Sequence, residues 1–285
     1  MAIVIQGLSH VFLPGSPFMT TAIDEVDLTI EDGSFVGLIG HTGSGKSTLI
    51  QHINGLLKPT AGKVTVDGID TKAKADLPKL RRLVGLVFQY PEHQLFEETV
   101  ARDVAFGPRN MGLSEAEVTD RVRGALDHVG LPGEDILARS PFELSGGQRR
   151  RVAIAGVLAM EPRVLILDEP TAGLDPLGRE EVLSLVSGIH RERGCTVIMV
   201  SHSMDEVSRV ADRVLVMNKG KMAIDGTPRQ VFQRSAELRE IGLDVPAVAA
   251  LGEGLRARGL DVPEGLTTLQ EVRDFVLARL GKAVG

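Results

Sequence analysis

The sequence predicts an α/β fold built on buried strands, and three stretches carry that prediction. Phe35-Val36-Gly37-Leu38-Ile39 is a short apolar run of strand type. It leads through a glycine-rich turn into a segment where Leu49, Ile50 and Ile53 have helical spacing. Val164-Leu165-Ile166-Leu167 is a continuous apolar run, the mark of a buried parallel strand, and it ends in two carboxylates, Asp168 and Glu169. Thr196-Val197-Ile198-Met199-Val200 is a third strand of the same kind.

Taken along the chain, residues 1–9 alternate as a strand does and do not read as a signal peptide. Gly40-His41-Thr42-Gly43-Ser44-Gly45-Lys46-Ser47 fits the phosphate-loop pattern G-x-x-x-x-G-K-[ST], in the strand–loop–helix setting that the pattern requires. A triphosphate needs backbone N–H donors at close range, which explains Gly43 and Gly45. It also gains from a helix N-terminus, here at Ser47 and Thr48, where unpaired N–H groups carry roughly half a positive charge. Lys46 is expected to reach the β/γ-phosphates and Ser47 to hold Mg²⁺, so the chain is expected to bind ATP with Mg²⁺.

A strand over residues 83–88 precedes Gln89. Ser114-Glu115-Ala116-Glu117 reads as a capping box opening a helix to about Val129. Leu144-Ser145-Gly146-Gly147-Gln148 is a second anion-binding nest at a helix start, with the helix running from about Gln148 to Met160. Arg149, Arg150 and Arg151 follow it; a solvated helical face is the preferred reading over contact with phosphate or an inter-subunit carboxylate. The strand ending at Asp168 delivers its carboxylates to the sheet edge where ligands collect. Asp168 is placed to hold the hydration shell of Mg²⁺, and Glu169 to polarise an attacking water as general base.

At 285 residues the chain can bury one large core, or one core and a small appendage. Mean hydropathy is +0.07, and no apolar run approaches the length of a membrane span. A membrane role must then come through partner subunits. The net charge of −6 argues against general affinity for nucleic acid. The single cysteine, Cys195, excludes an internal disulfide, suits the cytoplasm and reads as a buried, inert thiol.

LSGGQ is the signature sequence of the ATP-binding cassette (ABC) ATPases, and with it the chain resembles that family over about residues 1–230. The resemblance implies a P-loop NTPase with a mixed central sheet, an antiparallel β subdomain and a helical signature subdomain at about residues 90–160. It also implies a head-to-tail dimer in which Ser145 and Gly147 of one subunit cover the γ-phosphate held by the other. Gln89 resembles the Q-loop glutamine that touches Mg²⁺ and the attacking water. Ala172-Gly173-Leu174-Asp175 resembles the D-loop that links the two sites, and His202 the switch histidine on the γ-phosphate. Phe12 stands where an aromatic stacks on adenine, often a tyrosine; Phe18 and a core role for Phe12 remain alternatives.

Phe88-Gln89-Tyr90-Pro91-Glu92-His93-Gln94-Leu95-Phe96-Glu97-Glu98-Thr99-Val100, followed by Ala105-Phe106-Gly107-Pro108-Arg109-Asn110, looks like the ATPases of energy-coupling factor (ECF) vitamin and metal importers, in the second of their two ATPase types. That resemblance implies a peripheral subunit at the cytoplasmic face of the cell membrane. It pairs with a second cassette, as a heterodimer or a homodimer, and carries a transmembrane scaffold near residues 89–100, with a substrate-binding membrane subunit reached indirectly. Leu95 and Phe96 are the expected apolar docking residues, with packing into the cassette's own core as the alternative.

The cassette is expected over residues 1–233 and a C-terminal helical extension over 234–285. There a helix reaches Arg258, and Thr268-Leu269-Gln270-Glu271 caps another to about Leu280. The extension serves dimerisation by resemblance, or packs on its own cassette. The competing readings are a conventional ABC transporter ATPase, a soluble ABC ATPase of repair or translation, and a non-catalytic cassette. One phosphate loop and one signature about 100 residues apart, without a heptad run, argue against the soluble types. Intact Glu169, His202 and Ser145 argue against the non-catalytic one.

Overall fold

Alternating strands and fully buried apolar ones build two sheets in the computed structural model, which describes residues 2–263, 265–266 and 268–283. Met1 of the expected first strand, and Glu264, Thr267, Val284 and Gly285 of the expected extension, lie outside the described residues. The smaller sheet is antiparallel, in the order β2 (Thr20–Ile30), β1 (Ile3–Phe12), β4 (Ala61–Val66), β5 (Ile69–Asp70). The central sheet comprises β3 (Phe35–Ile39), β6 (Val84–Val87), β7 (Val164–Asp168), β8 (Thr196–Val200), β9 (Arg213–Asn218) and β10 (Lys221–Gly226). Its order is β10-β9-β3-β8-β7-β6, parallel throughout except for β10, so the sheet is mixed as expected.

The period of two sorts the central strands onto two cores. Phe35, Ile39, Leu165, Leu167, Val197 and Met199 face the larger, helical side. Val36, Leu38, Val164, Ile166, Ile198 and Val200 face the other, beneath the antiparallel sheet and α1 (Lys46–Ile53). Truncating a leucine, isoleucine, methionine or phenylalanine among them to alanine costs about 2–5 kcal/mol.

Helix α2 (Leu77–Leu83) packs on the other core through Leu80, and the helical side begins with α3 (Val100–Asn110), then α4 (Glu115–His128), α5 (Glu134–Ala138) and α6 (Gly146–Leu158). The capping box on α4 forms as predicted, with Ser114 and Glu117 satisfying each other's backbone N–H groups. Helices α7 (Pro176–Arg193), α8 (Met204–Val210), α9 (Pro228–Phe232) and α10 (Ser235–Glu240) follow, then α11 (Ala247–Ala257) and α12 (Leu269–Ala283).

Leu238 and Leu243 insert into the larger core, while Val248, Val262, Leu266 and Val272 form a small core of their own. The second capping box also forms, between Thr268 and Glu271. Cys195 is buried, and burial pushes its thiol pKa up, which keeps it unreactive. Among the described residues no helix is long and apolar enough to cross a membrane.

Candidate functional site

Four of the predicted motifs sit on neighbouring strand ends. In the run β3-β8-β7-β6, the phosphate loop follows β3, His202 follows β8, Asp168 and Glu169 close β7, and Gln89 follows β6. Parallel strands deliver all four to one C-terminal edge, where an open α/β sheet binds ligands.

The loop's backbone demands glycine. Gly45 has φ +107° at the N-cap of α1, and a Cβ there would lie 2.5 Å from the Ala22 carbonyl oxygen. At Gly40 a Cβ would lie 2.4 Å from the Met217 carbonyl oxygen. No side chain caps α1, so its first N–H groups point into the loop that Gly40, His41, Thr42, Gly43, Ser44 and Gly45 enclose. Within it the Ser44 hydroxyl is buried without a partner. His41 bonds the Thr42 carbonyl at 2.7 Å and Asn218 at 3.1 Å, fixing the loop's outer rim. Thr48, one turn on, is half-buried, and its carbonyl accepts from His52 at 2.7 Å. An orphaned hydroxyl among free N–H donors suits a phosphate group.

Lys46 is buried and donates to the carbonyls of Gly40 at 2.6 Å and His41 at 3.1 Å. Burial lowers its pKa, against the attraction of Glu169 and Asp168. Burial and the neighbouring Glu169 raise the pKa of Asp168, against the Ser47 hydroxyl and the Lys46 charge. Hydroxyl, carboxylate and the Gln89 amide make an all-oxygen donor set that fits Mg²⁺. Among the described residues no cluster of three or more His, Cys, Asp or Glu side chains is placed to hold a metal.

Because the folded chain binds a proton at Asp168 more tightly than the unfolded chain does, ionisation there opposes folding. The cost is absent below the ordinary carboxylate range, grows as pH rises through the raised folded pKa, and is complete above it. Asp168→Asn is therefore expected to raise the Tm of the nucleotide-free chain at neutral pH, by about 2–4 °C per kcal/mol relieved. A melting curve unchanged or lowered at pH 7 would contradict this.

Glu169 is the centre of the arrangement. Gln89 Nε2 donates to its Oε2 at 3.0 Å, and His202 Nε2 lies 2.7 Å from its Oε1. Its backbone is left-handed, φ +50°, a conformation that costs a non-glycine residue about 1–3 kcal/mol and persists only when its surroundings hold it. Glu206, buried on α8, accepts from Thr171 at 2.8 Å and Ser201 at 3.0 Å, tying the loop after Glu169 to the loop before His202.

Ser145 caps α6 in a reciprocal box with Gln148, and Gly147 is exposed in its first turn. Asp175 is exposed and caps α7 by accepting from Gly178 at 2.8 Å. Ser145, Gly147 and Asp175 thus all lie open on the surface. Phe12 is 40% exposed, edge-on to His10 at 4.5 Å, which excludes the core role. Phe18 is fully at the surface.

Two expectations need correction. Leu95 is 6% exposed and belongs to the larger core, so of the pair only Phe96, 58% exposed and edge-on to Phe106 at 5.0 Å, is free to dock. The solvated arginine face fails at Arg150, which is 2% exposed and bonded to Glu92, Pro170 and Ala172. Arg150, Glu92 and Glu206 escaped the sequence reading because each finds its partner through the fold and carries no local pattern.

The sequence profile of the ABC transporter family matches residues 23–172. The energy-coupling factor transporter ATP-binding protein EcfA2 of Symbiobacterium thermophilum is 62% identical over 286 residues, covering 99% of each chain. The EcfA2 protein of Clostridium perfringens is 53% identical, over 97% of this chain and 98% of its own. Among solved structures, CbiO1 of Clostridium perfringens, part of the ABC transporter complex CbiONQ, superposes with a TM-score of 0.74 at 39% identity, over 88% of this chain and 98% of that one. A dimeric ATP-binding cassette in a post-hydrolysis state with ADP and Pi gives 0.71 at 30% identity, over 80% and 99%. With the motifs gathered on one sheet edge and this likeness running the length of the chain, the protein belongs to the ABC transporter ATPases, among the energy-coupling factor transporter ATP-binding proteins.

Proposed function

We propose that the chain is the second-type ATPase subunit of an ECF importer, hydrolysing ATP to energise uptake of a vitamin or metal ion through membrane partners. The observation that carries the reading is the Glu169 carboxylate held between Gln89 and His202, at the strand end that also carries Asp168. A carboxylate so fixed can take a proton from water in line with a phosphate on the adjoining loop.

In this reading Lys46 and the N–H groups of residues 40–48 bind the β/γ-phosphates, and Phe12 stacks on adenine. Ser47, Asp168 and Gln89 hold Mg²⁺, which when bound neutralises phosphate charge. Glu169 is the general base, and His202 fixes its carboxylate and senses the γ-phosphate. Ser145, Gly147 and Asp175 act across the dimer on the site of a second cassette, a distinct sibling in preference to a second copy.

Residues 1–233 form the cassette, with its helical subdomain at about 90–160. Residues 234–285 are an extension, anchored by Leu238 and Leu243, that serves dimerisation; Leu251, Leu260, Leu269 and Leu277 are exposed there. The transmembrane scaffold docks beside residues 89–100, in an apolar cleft of ≈ 540 Å³ whose lining includes Phe96, Phe106, Met111, Val157 and Met160. The subunit sits peripherally on the cytoplasmic face of the membrane.

Affinity capture of the tagged chain from mildly solubilised native membranes tests this reading. It is expected to recover a second, distinct cassette and a multi-span scaffold protein. Recovery with soluble proteins alone, or with a conventional permease pair, overturns the ECF reading and leaves the ATPase in place.

A further inference from the structure

Each nitrogen of the Arg150 guanidinium is bonded within the protein. Nε and Nη2 donate to the two oxygens of Glu92 at 3.0 and 3.1 Å, and Nη1 donates to the carbonyls of Pro170 at 3.1 Å and Ala172 at 2.9 Å. Burial works against the Glu92 carboxylate, but the bonds from Arg150 outweigh it and hold the pKa below the ordinary range, so the pair stays ionised at neutral pH. A buried cation persists only when paired and hydrogen-bonded in this way. Only a planar fork can grip a carboxylate with one edge and two carbonyls with its remaining nitrogen; an ammonium cannot reproduce that set.

The three anchors belong to two loops, the one after β6 and the one between β7 and α7. Glu92 lies three residues after Gln89, in the short turn Pro91–Gln94 that leads to the exposed Phe96. Pro170 directly follows Glu169, whose left-handed backbone needs outside support. Ala172 opens the stretch that ends at Asp175, the cap of α7. Arg150 itself stands on α6, one turn beyond Ser145.

We propose that Arg150 is a positioning residue which, locked by Glu92, holds the Glu169 backbone in its working orientation and ties that orientation to the docking segment at residues 89–100. The inference rests on the general-base reading of Glu169. Arg150 touches no substrate; it acts on the base through the two carbonyls that follow it.

The test uses the assembled transporter carrying Arg150→Lys, Glu92→Gln or both, assayed well below each variant's melting transition so that only folded molecules are counted. Expected for each single variant is a fall in kcat of about 10–100-fold, the size of a small misplacement of a catalytic group, with the KM for ATP within about 3-fold of the parent. The double variant is expected to be no slower than the slower single one, because the two residues work as one unit. Glu92→Gln keeps the guanidinium and its carbonyl bonds, so it gives a reading even if Arg150→Lys does not fold.

A lowered Tm with kcat within about 2-fold of the parent would reduce the pair to a structural bridge and overturn the proposal. Effects that multiply in the double variant would overturn the shared lock. Glu169→Gln in the same complex separates the two claims. Its normal turnover would remove the base reading and this inference with it, whereas its slow turnover beside full-speed Arg150→Lys and Glu92→Gln would remove only the positioning role.

Discussion

Glu169→Gln is expected to bind ATP as the parent chain does and to turn it over about 10²–10⁴-fold more slowly, the usual worth of a general base. The substitution keeps shape and volume but removes the carboxylate, held between Gln89 and His202, that takes a proton from water in this reading. Its neighbours can tolerate the change. The amide oxygen still accepts from Gln89 Nε2, which lies 3.0 Å from Oε2 in the parent. His202, 2.7 Å from the other oxygen, can present its bare Nε2 to the new amide by shifting its proton to Nδ1. Phosphate binding depends on the loop after β3 and is untouched. Titration with a fluorescent ATP analogue, beside phosphate release from the assembled complex, separates the two quantities. Near-normal release would take Glu169 out of the role, and a loss of binding equal to the loss of rate would make its role one of binding.

The parts of this molecule that were legible in the sequence are those whose physics is local. Phe35-Val36-Gly37-Leu38-Ile39 reads as a buried strand because every side chain is apolar, and each of the five residues is buried. The phosphate loop is legible because its close backbone approaches exclude a Cβ at Gly40 and Gly45. The capping boxes at Ser114 and Thr268 are each closed within four residues.

What stayed hidden depends on distance along the chain or on the absence of a period. Arg150 and Glu92 are 58 residues apart, and an arginine run on a helix ordinarily faces water, so nothing local marks the middle one as buried. Leu95 and Phe96 are adjacent and both apolar, but the chain there follows a short turn with neither helical nor strand period, so the sequence holds no rule for which one turns inward. Helix α10 has six residues, too few to display an amphipathic repeat, yet its Leu238 is fully buried and anchors the start of the tail.

Lys46→Ala is expected to act on the opposite quantity, lowering ATP affinity by about 10²-fold or more and lowering kcat/KM at least as far. An ammonium bonded to phosphate supplies charge-assisted hydrogen bonds worth about 1.5–3 kcal/mol each, and two of them amount to two to four decades of affinity. The folded chain does not depend on this cation to the same degree. Burial lowers the pKa of Lys46, so its charged form is held at a cost at every pH below that lowered value, and truncation relieves the cost. Against this, the carbonyls of Gly40 and His41 lose their donor, but His41 keeps its bonds to Thr42 and Asn218, which hold the loop's rim. The variant should therefore melt within a few degrees of the parent while failing to retain nucleotide. Equilibrium binding of ATP, with a melting curve on the same sample, reads both properties. Intact affinity would move the phosphate-binding role from Lys46 to the N–H groups of α1 alone. A collapsed Tm would instead make Lys46 a structural brace for the loop.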